Sequence, residues 1–254
     1  MVNSGKDSMT GKTITLGANI VWDGSDWTPI GTEKNPFKGT FNGGKVSGNP
    51  MFGYNLTSYT ISNLSGDLFG VVDNSKTKIQ YVTISGGTGR LANTLKSGTV
   101  ENCMSTAKVT GSASGLVGQN SGTVNRCYYY NADSKNTPAV GGSGTVTNCF
   151  YLADQSTFGD VGDNGARTEK EFTGRRVAYE LGSKSDCWSA DNEGMPCLKI
   201  DAKIHALTLT DLTGNGGVMI KDAFTDGNVQ TFYGNNNHSV VLTESIAADQ
   251  AVTY

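Results

Sequence analysis

The chain has 254 residues, of which 34 are glycine, 36% are hydrophobic and only 17% are charged, and its formal net charge is −3. This balance offers no basic surface for nucleic acid or anionic lipid, and the hydrophobic content excludes intrinsic disorder. No apolar run is long enough to cross a membrane, so we expect neither a nucleic-acid partner nor membrane insertion.

The N-terminal residues 1–12 contain no basic stretch followed by an apolar run, so no secretory signal is expected there. The main feature further along is a repeated block, Ser-Gly-Thr-Val-x-x-Cys. It occurs at Ser97–Cys103, Ser121–Cys127 and Ser143–Cys149. A period near 22 residues without room for a helix is typical of a β-solenoid.

Two looser copies precede these blocks. Ile79 and Val82 take the places of the valine and cysteine in one copy, and Ile61 and Leu64 take them in the other. A second apolar marker keeps phase with the first. It is found at Met51–Gly53, Leu68–Gly70, Leu91–Asn93, Leu116–Gly118 and Ala139–Gly141.

This pattern predicts an all-β fold, a right-handed parallel β-helix (solenoid) of about six coils, in which each repeat forms one coil. Equivalent residues then stack at the spacing of neighbouring strands. We expect Asn102 and Asn148 to form a ladder that Arg126 interrupts. The expected interior columns are Val100, Val124 and Val146, and the buried thiols Cys103, Cys127 and Cys149.

The segment Gly115–Val124 resembles the repeat unit of the GLUG-repeat proteins of bacterial surfaces, which reads Gly-Leu-Val-Gly followed by Gly-Thr-Ile-x-Asn-Cys. Upstream, Trp27–Gly31 and Phe37–Gly43 are similar to the segment before these repeats. Downstream, Thr168–Leu181 and Gly194–Leu198 are similar to the segment after them. The resemblance implies a secreted or cell-surface, adhesin-like protein, and it supplies no catalytic residues.

Large side chains follow each cysteine of the repeat and are the candidate binding residues. Because successive side chains of a strand alternate between its faces, one of two columns should point outward. An outward stack of rings suits a sugar or a protein surface. The alternative is that the rings pack beneath a neighbouring loop or cap. The columns are Met104, Tyr128 and Phe150, and Ser105, Tyr129 and Tyr151.

A solenoid needs covered ends, and one helix is predicted over Thr168–Leu181 as a cap. Thr168 as N-cap and Glu171 three residues later form a capping box, whereas Gly174 weakens the helix interior. The apolar stripe of this helix comprises Phe172, Val177, Ala178 and Leu181.

Cys187 and Cys197 lie beside Trp188 in the same region, either as a disulfide in an oxidising compartment or as two apolar fillers. From residue 203 the repeat markers end and alternating runs predict a small β-module. His205 and His238 in this module have no metal-ligand spacing, so we expect no metal site there.

A polysaccharide lyase or hydrolase needs paired carboxylates or an acidic calcium cluster with a basic group. The acids of residues 51–150 share no repeat position; they are Asp67, Asp73, Glu101 and Asp133. Acids near the cap stay open as an alternative site; they are Asp154, Asp160, Asp163, Glu169 and Glu171.

Residues 160–171 partly match an EF-hand calcium loop, with Asp160, Asn164, Gly165 and Glu171 at positions 1, 5, 6 and 12. Gly162 replaces the third ligand and no helix precedes the loop, so an ordinary turn before a capped helix is favoured.

We therefore expect three parts: a β-helix over 1–166, a helix-containing cap over 167–202 and a β-module over 203–254. The function expected is non-catalytic binding of a glycan or surface protein by a lateral face of the β-helix, outside the cell or on a bacterial surface, with no cofactor. The alternative is a carbohydrate-active enzyme or an accessory domain of one.

Overall fold

The computed structural model describes residues 1–49, 53–110, 114–157, 164–200, 204–210, 220–235 and 240–241. The chain divides into two compact units. The first consists of Met1–Glu169 with Leu198–Ile200, and the second of Lys170–Cys197 with Asp201–Tyr254. Helices within the described residues are too short and too polar to span a bilayer.

Short strands dominate both units. In chain order they are β1 (Thr13–Thr15), β2 (Ile20–Val21), β3 (Thr40–Asn42), β4 (Gly44–Asn49), β5 (Gly53–Ser58), β6 (Thr60–Ser62), β7 (Phe69–Gln80), β8 (Thr83–Ser85), β9 (Ala92–Glu101), β10 (Met104–Ser105), β11 (Val117–Asn120), β12 (Thr123–Asn125), β13 (Tyr128–Tyr129), β14 (Val140–Gly142), β15 (Thr145–Thr147), β16 (Phe150–Leu152), β17 (Gly165–Arg167), β18 (Trp188–Ala190), β19 (Pro196–Leu198), β20 (His205–Thr210), β21 (Phe224–Asp226) and β22 (Val229–Gly234). The helices are a 3-10 turn (Ala132–Ser134), α1 (Glu169–Thr173) and α2 (Arg176–Gly182).

The first unit is a parallel β-solenoid of about six turns, which confirms the predicted fold class. One sheet runs in the order β1-β3-β7-β9-β11-β14, with β12 paired to both β9 and β15, and the other in the order β17-β16-β13-β10-β8-β6-β2. Strand pairs within both sheets are parallel, because each coil repeats the path of the coil before it.

The predicted valine column is present and extends beyond the repeats. Val124 pairs with Val100 on one side and Val146 on the other, and Val100 pairs with Ile79. Pairing continues from Ile79 through Phe41 to Ile14. The column forms one wall of the hydrophobic core; its members are Ile14, Phe41, Ile79, Val100, Val124 and Val146.

The predicted place of Ile61 is wrong. Ile61 pairs with Ile20 and Ile84 in the second sheet, and Phe41 occupies the rung next to Ile79. The cause is an inserted antiparallel hairpin of β4 and β5, which leaves the coil after Gly43 and returns at Tyr59. The N–H of Tyr59 donates to the carbonyl of Gly43 at 2.8 Å, which closes the coil beneath the insertion.

The second apolar marker also stacks. Phe69, Ala92, Val117 and Val140 occupy one register position in β7, β9, β11 and β14, and all four are buried. The first copy of this marker was predicted at Met51–Gly53. Met51 and Phe52 lie outside the described residues, and Gly53 is the first residue of strand β5 in the hairpin. Ile30, which forms a parallel bridge with Phe69, takes the corresponding place in the coil.

The corner before each cysteine explains the asparagines of the repeat. Asn102, Arg126 and Asn148 have φ values of 51°, 52° and 51°, and Tyr81 at the preceding corner has 58°. Asparagine, like a few other polar residues, tolerates this left-handed conformation better than most residues with a side chain. Arg126 contacts one member of the expected ladder, since its Nε donates to Oδ1 of Asn102 at 3.2 Å, whereas the amide of Asn148 donates to Asn125 instead.

Replacing Asn148 separates the backbone requirement from the side-chain contact, because the hydrogen bond of its amide to Asn125 is long, at 3.5 Å. We expect Asn148→Ala to lower the free energy of unfolding by about 1–2 kcal/mol and Asn148→Gly to change it by less than about 0.5 kcal/mol. Urea unfolding of both variants measures this difference. Equal losses in the two variants would contradict a left-handed corner.

The second unit contains the predicted helical segment, broken into α1 and α2. The break falls at Gly174 and Arg175, where Arg175 has a φ of 64°. Helix α1 begins directly after Thr168, the predicted N-cap. The predicted apolar stripe is buried; it comprises Phe172, Val177, Ala178 and Leu181.

Two small sheets complete this part of the chain. Strands β18 and β19 form a two-stranded sheet, and β20, β22 and β21 form an antiparallel sheet in that order. Cys187 and Cys197 are not joined by a disulfide.

Candidate functional site

The candidate aromatic columns stack in the predicted register. Tyr128 lies between Met104 and Phe150, and Tyr129 lies between Ser105 and Tyr151. The second column faces the core. Tyr129 is 1% exposed, and its hydroxyl donates to the carbonyl of Ala107 at 2.9 Å.

The first column lies on the opposite face of the sheet, yet its rings are also covered. Tyr128 and Phe150 are 1% and 2% exposed, whereas Met104 is half-buried. The Tyr128 hydroxyl lies 3.1 Å from the sulfur of Met104, and the Arg167 guanidinium lies 5.0 Å from the centre of the Phe150 ring. Of the two alternatives for these columns, the structure agrees with covered rings, since Tyr128, Tyr129 and Phe150 are all buried and form no open platform.

The thiols form the predicted buried column. Cys103, Cys127 and Cys149 are each fully buried, and the backbone N–H of Cys103 lies 3.4 Å from the sulfur of Cys127. Each thiol contacts a carbonyl of its own corner, as Cys127 does with Asn125 at 3.2 Å. Burial raises the pKa of Cys127 and of Cys149 well above the ordinary value, so both remain protonated and poorly reactive at neutral pH.

A different lateral face is open, and we call it the threonine face. It consists of the side chains that flank the interior valine column, which alternation directs outward. Strand pairing aligns them in two columns. The first is Thr13, Thr40, Lys78, Thr99, Thr123 and Thr145, and the second is Thr15, Asn42, Gln80, Glu101, Asn125 and Thr147.

Five of the six residues of the first column are threonine, and none of the face residues is buried. The charges of the face are partly paired. Glu101 lies 2.8 Å from Arg126 and 3.8 Å from Lys78. The face therefore presents mainly hydroxyl and amide groups. The repeated triplet Thr-Val-x was the sequence feature that could have predicted this face, because its threonine must point away from the interior valine.

Most of the candidate catalytic acids are engaged in other contacts. Asp67 accepts two hydrogen bonds from the Arg90 guanidinium, at 2.8 and 3.1 Å, and Asp73 accepts one from Ser97 at 2.8 Å. Asp133 lies 2.9 Å from Lys108. Within the described residues, no group of three or more histidines, cysteines or acids is arranged to hold a metal ion.

Of the acids near the cap, Asp154 is exposed and accepts a hydrogen bond from Asn136 at 2.9 Å. Glu171 pairs with Arg176 at 3.0 Å. Asp160 and Asp163 lie outside the described residues, as does His238. His205 is exposed on β20.

Two ligands of the partial calcium loop have other partners. Oδ1 of Asn164 accepts the N–H of Val140 at 3.0 Å, and its amide donates to the Val140 carbonyl at 2.6 Å. Asn164 thus extends the sheet beside β14 in place of a further strand. Glu171 is paired with Arg176, and the remaining acids of residues 160–171 are Asp160 and Asp163, which lie outside the described residues, and Glu169, which is exposed.

Comparisons of the chain with protein-family models, with curated proteins and with solved structures found no significant match. The resemblance to GLUG-repeat proteins therefore rests on the sequence motifs of the repeat and of its flanking segments alone.

Proposed function

We propose that the chain is a non-catalytic, adhesin-like binding module that holds a glycan or a surface protein on the threonine face. The observation that carries this proposal is the register of that face. Six rungs place the same two side-chain positions above one another, at about the 4.8 Å spacing of neighbouring strands.

The chemistry of the face favours a polar ligand with many hydroxyl or amide groups. Threonine hydroxyls both donate and accept hydrogen bonds, and the short side chain loses little conformational entropy when a ligand binds. The interior valine column, whose middle members are buried, holds the strands beneath, so the donors and acceptors are positioned before the ligand arrives. A flat array of this kind suits an extended chain better than a small molecule.

A secreted or cell-surface location is part of the same proposal. Its support is the resemblance of Gly115–Val124 to the repeats of bacterial surface proteins. The enzyme alternative has less support, because Asp67, Asp73, Glu101 and Asp133 are committed to contacts with other side chains.

A glycan array with the purified chain identifies a ligand, and a pair of matched double variants then locates it. Thr123→Ala with Thr145→Ala removes two neighbouring hydroxyls of the threonine face. Thr60→Ala with Thr83→Ala removes two neighbouring hydroxyls of the other sheet. We expect the first double variant to weaken binding about 5- to 150-fold, since each hydrogen bond contributes about 0.5–1.5 kcal/mol.

The second double variant is the control and should bind within about twofold of the unaltered chain. Equal affinity for all three proteins would remove the threonine face from the proposal. Cleavage of a polysaccharide on incubation with the chain would favour the enzyme alternative instead.

A further inference from the structure

The second unit contains a cleft of about 370 Å³, and no residue of the threonine face lines it. Its lining comes from helix α1 and the break after it, from the turn at Lys221–Asp222, from strand β22 and from Val241. A volume of this size accommodates a small ligand.

The cleft is positively charged in a chain whose formal net charge is −3. Its lining includes the cationic side chains of Lys170, Arg175 and Lys221, and the single acid of this lining is Asp222. Three cations that converge on one concave site raise the local concentration of anions.

Arg175 is the residue of this group whose hydrogen bonding is incomplete. Its Nε is shielded from solvent and has no acceptor among the described residues. Burial lowers the pKa of the Arg175 guanidinium, and the nearby carboxylate of Asp191 offsets part of this decrease. A shielded N–H donor normally finds an acceptor, because an unmet donor in a desolvated position destabilises the fold.

The neighbouring residue shows the contrast. Arg176 lies 3.0 Å from a carboxylate oxygen of Glu171 and 3.3 Å from one of Glu180, so its charge is matched within the protein. The left-handed backbone at Arg175 interrupts the helix and directs the two arginines differently.

The other two cations are also available to a ligand. Lys170 donates one hydrogen bond to the carbonyl of Ala223 at 3.2 Å, which fixes the ammonium group and leaves further N–H donors. Lys221 is exposed, and its backbone N–H donates to the carbonyl of Val241 at 2.9 Å. Phe232 and Tyr233 add ring surface to the lining.

We propose that this cleft binds an oxyanion, a carboxylate or sulfate group, with Arg175 as its bidentate donor and Lys170 and Lys221 as supporting charges. Planar guanidinium groups match the two oxygens of a carboxylate, and ring surfaces beside them suit the apolar face of a sugar. An acidic sugar such as a uronate is therefore the preferred form of the ligand, and inorganic sulfate is the other source of the same chemistry.

Calorimetric titration of the full chain at neutral pH and low ionic strength tests the site with glucuronate, sulfate and neutral glucose. We expect glucuronate to bind and glucose to give no heat. Similar binding of sulfate assigns the site to oxyanions in general, whereas binding of glucuronate alone assigns it to the acidic sugar. No heat with either anion would overturn the proposal.

Variants locate the binding. Arg175→Gln should weaken glucuronate or sulfate binding tenfold or more, and Lys221→Gln, a change at an exposed side chain, should weaken it several-fold. Lys184→Gln removes the same charge from an exposed position that does not line the cleft and should leave affinity unchanged within twofold. If Arg175→Gln does not fold, Lys221→Gln decides the question. Unchanged binding in the folded cleft variants would overturn the assignment.

Discussion

Tyr129→Ala is expected to lower the free energy of unfolding by about 3–5 kcal/mol, because the ring is 1% exposed and belongs to the solenoid core. Tyr129→Phe should cost about 1 kcal/mol, since it loses only the hydrogen bond to Ala107. Urea unfolding followed by circular dichroism measures both. Thr123 precedes the core residue Val124 in its strand but faces outward. Thr123→Ala is therefore the control and should change the free energy of unfolding by less than about 0.5 kcal/mol.

A second change at the same place makes the prediction stricter. A methyl group at Gly115 would collide with the ring of Tyr129. Gly115→Ala as a single change should therefore destabilise the protein. The same change should cost less in a protein that already carries Tyr129→Ala. Additive losses, or a cost below about 1 kcal/mol for Tyr129→Ala, would show that the ring does not fill this part of the core.

Alkaline pH is expected to destabilise the protein through the thiol column. The pKa of Cys127 and that of Cys149 are raised well above the ordinary value, mainly by burial and further by contact with neighbouring thiols. In the unfolded chain a thiol loses its proton near pH 8.5, whereas the folded chain retains it. The stabilising contribution is thus fully present below about pH 8.5 and is lost as pH rises.

Each thiol should reduce the free energy of unfolding by about 2 kcal/mol between pH 8 and pH 10, or about 4 kcal/mol for the pair. Urea unfolding in the presence of a reducing agent, at steps of one pH unit, measures the slope. Tyr130 and Tyr233 also have pKa values raised by burial, but their unfolded pKa near 10 places their effect above this range.

The double variant Cys127→Ala with Cys149→Ala is the control for the pH effect. It should be less stable than the unaltered chain at pH 7, because two small cavities replace the sulfurs. Its stability should nevertheless fall much less between pH 8 and pH 10. The same slope in both proteins would exclude the buried thiols as the cause.

Within the three complete repeats, the sequence by itself determined the fold. A strict heptapeptide sets which side chains share a register position, and alternation along a strand sets which of them face the core. The interior columns of Val100, Val124 and Val146 and of the three thiols follow from these two periodicities alone, and the structure confirms them. The left-handed corner at Asn102 and Asn148 was also encoded locally, as a residue preference.

Upstream, only the tertiary structure decided the register. The triplet Thr-Ile-Ser occurs at 60–62 and at 83–85, and both copies lie in the second sheet, although the first resembles the Thr-Val-x of the other sheet. A repeat fixes phase within an uninterrupted run, but the hairpin over 44–58 changes the number of residues in its coil. The repeat pattern by itself does not show how many residues the hairpin adds to this coil.

Exposure was likewise a tertiary property. Alternation placed Tyr128 and Phe150 on the outside of their strands, yet long-range neighbours cover both rings and leave the shorter threonines open. The cationic cleft has the same origin, since Arg175 and Lys221 are brought together from segments with no shared motif. Periodicity determines which residues align along the solenoid, but whether a surface is open depends on what folds against it, which requires contacts between residues distant in the chain.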